Sequence, residues 1–138
     1  MKRRAFTLVE ILIVVVILGI LAAIVVPQYA KATDDAATTT ALHDLQKVRR
    51  AIEVYKAKHS NGLPDVTAGK GTWGVIVSYE YLKSAPINHW VGGANAQVIV
   101  IGNGPDAAYQ TDHGWIYDDT TGDVWAGSFD ANDQPLPK

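Results

Sequence analysis

Apolar residues run without a real break from Phe6 to Val26, FTLVEILIVVVILGILAAIVV, with Glu10 the one charge and Thr7 the one weak polar group. As an α-helix this run rises roughly 32 Å, close to the ~30 Å of a bilayer's hydrocarbon core. It is rich in β-branched residues. A lone open strand in lipid would leave its backbone N–H and C=O groups unpaired, so helix is the state the run adopts there. From Gln28 the pattern becomes amphipathic. Ala32, Ala36, Leu42, Leu45, Val48, Ile52 and Tyr55 recur mostly at three- and four-residue steps, with Lys31, Asp34, Asp35, Asp44, Lys47, Arg49, Arg50, Glu53 and Lys56 between them. That spacing predicts one apolar helical face. The helix should reach about His59 and stop at Ser60-Asn61-Gly62, with Gly62 as a left-handed cap and Pro64 preventing continuation. A helix of about 50 residues is far beyond the ~11–12 of an ordinary globular helix.

The remaining chain, 63–138, carries the signs of a small mixed head. Val75, Tyr79 and Leu82 fit a short helix over about Val75–Leu82, stopping before Pro86, and Lys83–Trp90 then reads as an extended loop. Gln97–Ile101 (QVIVI), bounded by Gly92-Gly93 and Gly102-Asn103-Gly104, predicts a strand. Gly114–Asp118 and Asp123–Ala126 flank Asp119-Thr120-Thr121-Gly122, the pattern of a β-hairpin with glycine in its turn. Trp115 and Trp125 are expected on one face of that hairpin. The polar tail from Ser128, with Pro135 and Pro137, reads as loop.

Composition narrows the chemistry. A chain of 138 residues holds one domain beside the apolar segment. There is no cysteine, hence no disulfide and no thiolate chemistry. The formal net charge is −2; without Lys2, Arg3 and Arg4, nine basic and fourteen acidic residues remain, a charge near −5. That balance offers no basic footprint for nucleic acid. His43, His59, His89 and His113 never pair at the i, i+4 spacing of a helical metal site, and no nucleophile elbow or phosphate loop is present. The sequence therefore carries no catalytic constellation. Four Trp and six Tyr are absorbed by core packing in so small a head.

The charges around the apolar run are more telling. By the positive-inside rule Lys2, Arg3 and Arg4 stay cytoplasmic, placing everything after Pro27 in the periplasm or at the cell exterior. A secretory signal peptide would place small residues of an A-x-A pattern after its apolar core, yet Ala22-Ala23 is followed only by Ile24-Val25-Val26-Pro27. A carboxylate such as Glu10 within lipid is costly and marks a partner or a function.

A basic tract, a small residue, FTLVE and an unbroken apolar run resemble the class III signal of type IV pilins and type II secretion pseudopilins. The resemblance is specific over Lys2–Pro27 and continues weakly to Lys58. The head resembles that family more loosely, through Tyr81-Leu82-Lys83 with Pro86 and the Gly114-Trp115 hairpin. The resemblance implies an α+β pilin fold, a long helix packed on a small antiparallel sheet. It divides the chain into a leader (1–5), an apolar assembly helix (6–27), an amphipathic helix (28–62) and a globular head (63–138). A prepilin peptidase would cut between Ala5 and Phe6, and Phe6 would be N-methylated. Ala5 stands where the family usually has glycine; it is small enough to be accepted. Glu10 would pair with the Phe6 amine of a neighbour during assembly. Gly19 and Pro27 would mark where the helix bends in the filament. The implied partners are other copies in a homopolymer, an inner-membrane assembly platform with its ATPase, and minor pilins.

The acidic C-terminal region, Asp118, Asp119, Asp123, Asp130 and Asp133 with Asn132 among them, offers oxygens of the kind calcium takes. Major pseudopilins bind calcium in a C-terminal loop, so the resemblance implies that role here, set against solvated acidic turns. The short head, the missing cysteines and this acidic region favour a secretion pseudopilin. The alternatives are a type IV pilus subunit for adhesion, motility or DNA uptake, and a single-pass membrane-anchored binding module that never polymerises.

Overall fold

The computed structural model describes residues 6–66, 73–78 and 80–138. Helix α1 runs Leu8–Lys58, and three short strands follow: β1 (Ile99–Ile101), β2 (Trp115–Tyr117) and β3 (Val124–Ala126). The chain divides into two compact units at Asp35.

The first unit is the N-terminal part of α1. Its side chains are exposed throughout the apolar run, with Leu8 82 % and Val26 64 % accessible. The helix is long and apolar enough to cross a membrane. It continues through Pro27, whose ring nitrogen has no hydrogen to give the carbonyl of Ala23.

The second unit begins at Ala36. Here α1 buries Ala41, Leu45, Val48, Ala51 and Ile52, one stripe at i, i+4, i+7, i+10 and i+11. Against that stripe pack Trp73, Ile76, Trp90, Ile99, Trp115, Tyr117, Val124 and Phe129. The sheet order is β1-β2-β3. Every residue of the central strand β2 is buried.

Several expectations need correction. The sheet is mixed rather than antiparallel: β1 pairs parallel with β2, while β2 and β3 form the antiparallel hairpin. A parallel neighbour needs a crossover of about a dozen residues, which residues 102–114 supply. Trp115 and Trp125 do not share a face. Trp115 is opposite Ala126 and Trp125 opposite Ile116, and side chains alternate along a strand. Trp115 instead meets Trp73 edge-on, ring centroids 5.7 Å apart.

The expected helix over Val75–Leu82 is a single 3-10 turn, Gly74–Ile76, followed by a parallel bridge from Val77 to Leu82; Tyr79 lies outside the described residues. Ser78 Oγ accepts the Glu80 N–H at 3.3 Å, a local bond that competes with helix. At the end of α1 the left-handed residues are Ser60 (φ 52) and Asn61 (φ 69), not Gly62. Asn61 N–H closes the helix on the Lys56 carbonyl at 2.8 Å, and asparagine tolerates that conformation better than most residues.

The tail is loop, but anchored. Phe129 is fully buried, an isolated bridge joins Phe129 to Pro135, and Leu136 N–H donates to Ser128 O. Asn88, in the loop before β1, is also fully buried. Its amide donates to the carbonyls of Gly114 and Gly127 and its oxygen accepts from Trp90 and Val91 N–H, so the buried amide is fully bonded.

Candidate functional site

The N-terminal site is built from Phe6, Thr7 and Glu10. Thr7 precedes the first residue of α1, and Glu10 is the third residue inside it. The Glu10 carboxylate accepts from the Thr7 backbone N–H and the Thr7 hydroxyl, both at 2.8 Å and both on Oε2. Thr7 Oγ1 in turn accepts the Glu10 N–H at 3.3 Å. This reciprocal pair is a capping box, which satisfies N–H groups that a helix start otherwise leaves unpaired. The T-x-x-E spacing carries that signal in the sequence; it identifies Thr7 as a partner that the charge-in-lipid argument does not supply. Among the described residues Oε1 takes no hydrogen bond. Phe6 is 81 % exposed. Ala5 lies outside the described residues. Gly19 has no atom within 4 Å of where a Cβ would stand, so its surface is open to a neighbour.

The five acidic positions of the C-terminal region are not brought together. Asp118 is buried beneath its own turn, its Oδ1 accepting from Thr120 N–H, Thr120 Oγ1 and Thr121 N–H. The Thr120 bonds hold its carboxyl below the usual range. Asp119 is exposed and lines a shallow groove with Leu63–Val66 and Ile101. Asp123 accepts the Thr121 hydroxyl at 2.9 Å. Asp130 Oδ1 accepts Asn132 and Gln134 N–H. Asp133, at φ 57, faces Arg49. Among the described residues no three carboxylate or imidazole groups gather as a metal site. Four of the five are turned onto N–H, O–H or guanidinium donors and Asp119 is exposed, so the five do not together present the six to eight oxygens that calcium takes.

Arg49 has no distinguishing signal in the sequence. Its guanidinium meets Asp133 end-on, Nη1–Oδ2 2.6 Å and Nη2–Oδ1 2.9 Å, while Nε and Nη2 donate to the Val124 carbonyl at 3.2 and 3.0 Å. Helix, hairpin and tail thus converge on one side chain. A second cluster without a sequence signal surrounds Asp106, whose Oδ2 accepts from Ser128 N–H and Gln110 Nε2, both at 2.7 Å, with His113 Nε2 3.3 Å from Oδ1.

The comparisons with known proteins agree with this anatomy. The model of the prokaryotic N-terminal methylation motif matches residues 1–26. Type II secretion system core protein G of Pseudomonas aeruginosa is 51 % identical over 59 residues, covering 41 % of this chain and 42 % of that protein. The protein of the same name from Escherichia coli K12 is 30 % identical over 98 residues, 64 % of this chain and 68 % of that one. The Klebsiella michiganensis protein is 29 % identical over 130 residues, covering 80 % and 89 %. No solved structure gives a significant match. The first alignment is short, while the second and third cover too much of the chain to be confined to its N-terminal helix, and on that breadth of similarity the chain belongs to the type II secretion system core protein G family.

Proposed function

We propose that the chain is the structural subunit of a type II secretion pseudopilus. The precursor rests in the inner membrane through Phe6–Val26, with Lys2, Arg3 and Arg4 in the cytoplasm and the head outside. A prepilin peptidase cuts between Ala5 and Phe6 and the new amine of Phe6 is methylated. An assembly platform with its ATPase then draws subunits into a homopolymer, topped by minor pilins. The observation that carries this reading is an apolar helical surface exposed along its whole length that opens on a carboxylate held in place by Thr7.

In lipid the capping box shields one oxygen of Glu10. In the filament the free Oε1 meets the Phe6 amine of the adjacent subunit. A charge pair in so apolar a bundle contributes register more than net stability, and removing one partner strands the other, at a cost of about 3–5 kcal/mol. Gly19 and Pro27 let the helix bend where neighbours crowd it, because one lacks a side chain and the other lacks an N–H.

Two measurements on full-length chain test the assignment. Intact mass of filament-derived protein should begin at a methylated Phe6; a mature chain starting at Met1 contradicts the processing step. Glu10→Ala should insert normally and accumulate as membrane precursor with little filament. Wild-type filament yield from that variant removes the role of Glu10.

A further inference from the structure

Segment 80–83 lies against α1 through the ion pair of Lys58 with Glu80 and the 3.1 Å bond between His59 Nε2 and Tyr81 Oη. Between them runs a groove of about 300 Å³. Its floor is apolar, Ala51, Val54 and Leu82, and its rim carries Lys47, Arg50 and Lys83. Lys47 is paired with Asp44 at 2.8 Å. Arg50 and Lys83 are exposed and have no acidic partner among the described residues.

The opposite charge is found on the β2–β3 turn. Asp119 and Asp123 are exposed there and have no basic partner among the described residues. The residues between them, Thr120, Thr121 and Gly122, are small, so the turn is narrow. This turn cannot reach its own groove. A Cβ on Gly122 would stand 3.8 Å from Ile52 Cγ2 and 3.7 Å from Lys56 Nζ, which fixes the turn over the Ile52–Lys56 side of α1. At about 100° per residue, that side is roughly opposite the stripe of Lys47, Arg50, Ala51 and Val54.

We infer that the groove on α1 receives the acidic β2–β3 turn of a second copy of this chain, Asp119 and Asp123 facing Arg50 and Lys83. Two complementary patches on opposite sides of one helix cannot satisfy each other within a subunit or in a closed two-fold dimer built from a single patch. They form a head-to-tail contact that repeats, the geometry of an open filament. Charge complementarity of this kind sets register and partner choice. The inference rests on the filament reading above and adds a contact between the globular heads of neighbouring subunits.

The test uses filaments sheared from cells that express the full chain with its secretion system. The natural chain has no cysteine, so Arg50→Cys combined with Asp119→Cys places a single engineered pair. Oxidation should give a ladder of covalent multimers of this chain. In parallel, Arg50→Glu with Lys83→Glu should lower filament yield roughly tenfold, as should Asp119→Lys with Asp123→Lys, and the four changes together should restore most of it. If wild-type filaments form but the pair gives no ladder and the one-sided reversals assemble normally, the docking is overturned and the filament reading stands. A ladder to some other protein also overturns it, since the occupant is then not a second copy. If the wild-type chain forms no filament at all, the filament reading fails, and the docking with it.

Discussion

Arg49 reaches from α1 to both the hairpin and the tail. Two of its nitrogens take the Asp133 carboxylate and two share the Val124 carbonyl. The pair is about one-third exposed, so its Coulomb part is screened, but a bidentate bond to a carboxylate is stronger than a point-charge pair. Arg49→Ala should cost about 1–2 kcal/mol, because the Val124 carbonyl also loses its donors. Arg49→Lys should recover only part, since an ammonium cannot match two oxygens and a carbonyl at once. For a unit of about 100 residues, each kcal/mol lost lowers the thermal midpoint by roughly 4–8 °C. Circular dichroism melts of detergent-solubilised chain check this, and a lysine variant as stable as wild type would show that charge alone matters. Nothing in the sequence distinguishes Arg49 from Arg50. One turns inward and the other out because 49 borders the buried stripe through Leu45, Val48 and Ile52, a distinction visible only once the hairpin and tail are in place. Glu10 is different: a carboxylate inside an apolar run carries a desolvation cost that the order of residues alone makes plain.

At the scale of elements, strand β2 is the centre of the sheet, and Tyr117 is its buried hydroxyl. The phenol donates to the Pro64 carbonyl at 3.1 Å. Burial, with the Asp119 and Asp118 charges beside it, pushes its pKa from 10.0 up to about 12. The unfolded chain releases this proton first, so the stabilisation is whole below pH 10 and is lost as pH rises through about 12. Its size is on the order of 2 kcal/mol. Tyr117→Phe should be slightly less stable at neutral pH, by about 1 kcal/mol for the lost hydrogen bond, yet flatter against alkali. Urea midpoints measured from pH 8 to 12 check it; equal alkaline slopes in the two proteins would place the titration elsewhere.

Helix and hairpin are legible in the sequence because both are local. A 3.6-residue repeat and a glycine-centred turn are written within a few residues of each other. The parallel partnership of β1 with β2 is not legible, since it depends on a crossover that no periodicity encodes. The face of Trp125 escapes for a related reason. Moving the hairpin register by one residue reverses every side chain, and the long-range packing that holds Trp115 against Trp73 and the rest of the core is what the local pattern does not contain. The helix predicted over 75–82 fails where apolar spacing alone cannot weigh the Ser78 side chain against the backbone.

At the scale of the whole molecule, the carboxylates of the acidic C-terminal region meet donors of this chain, Arg49 among them. Asp118 and Asp130 are each engaged by neighbouring N–H groups. The melting midpoint should therefore be the same in EDTA and in millimolar calcium. Saturation at about 100 times Kd would add about 2.7 kcal/mol, and hence a shift of many degrees. A rise with calcium but not magnesium would show that the loop rearranges around the larger ion.

The pairing of Arg49 with Asp133 also spans 84 positions of sequence. The apolar stripe of α1 leaves the ribosome early, whereas Trp115, Tyr117 and Phe129, which cover it, come last. At roughly 5–20 residues per second the stripe waits on the order of ten seconds for its cover. Local helix forms in microseconds, so for that interval the growing chain is a finished helix with a bare side. A chain truncated before Phe129 should stay in that condition, and limited proteolysis should cut it between residues 36 and 58, where the complete chain resists. The timing of synthesis, rather than any barrier within the fold, then determines when the head closes.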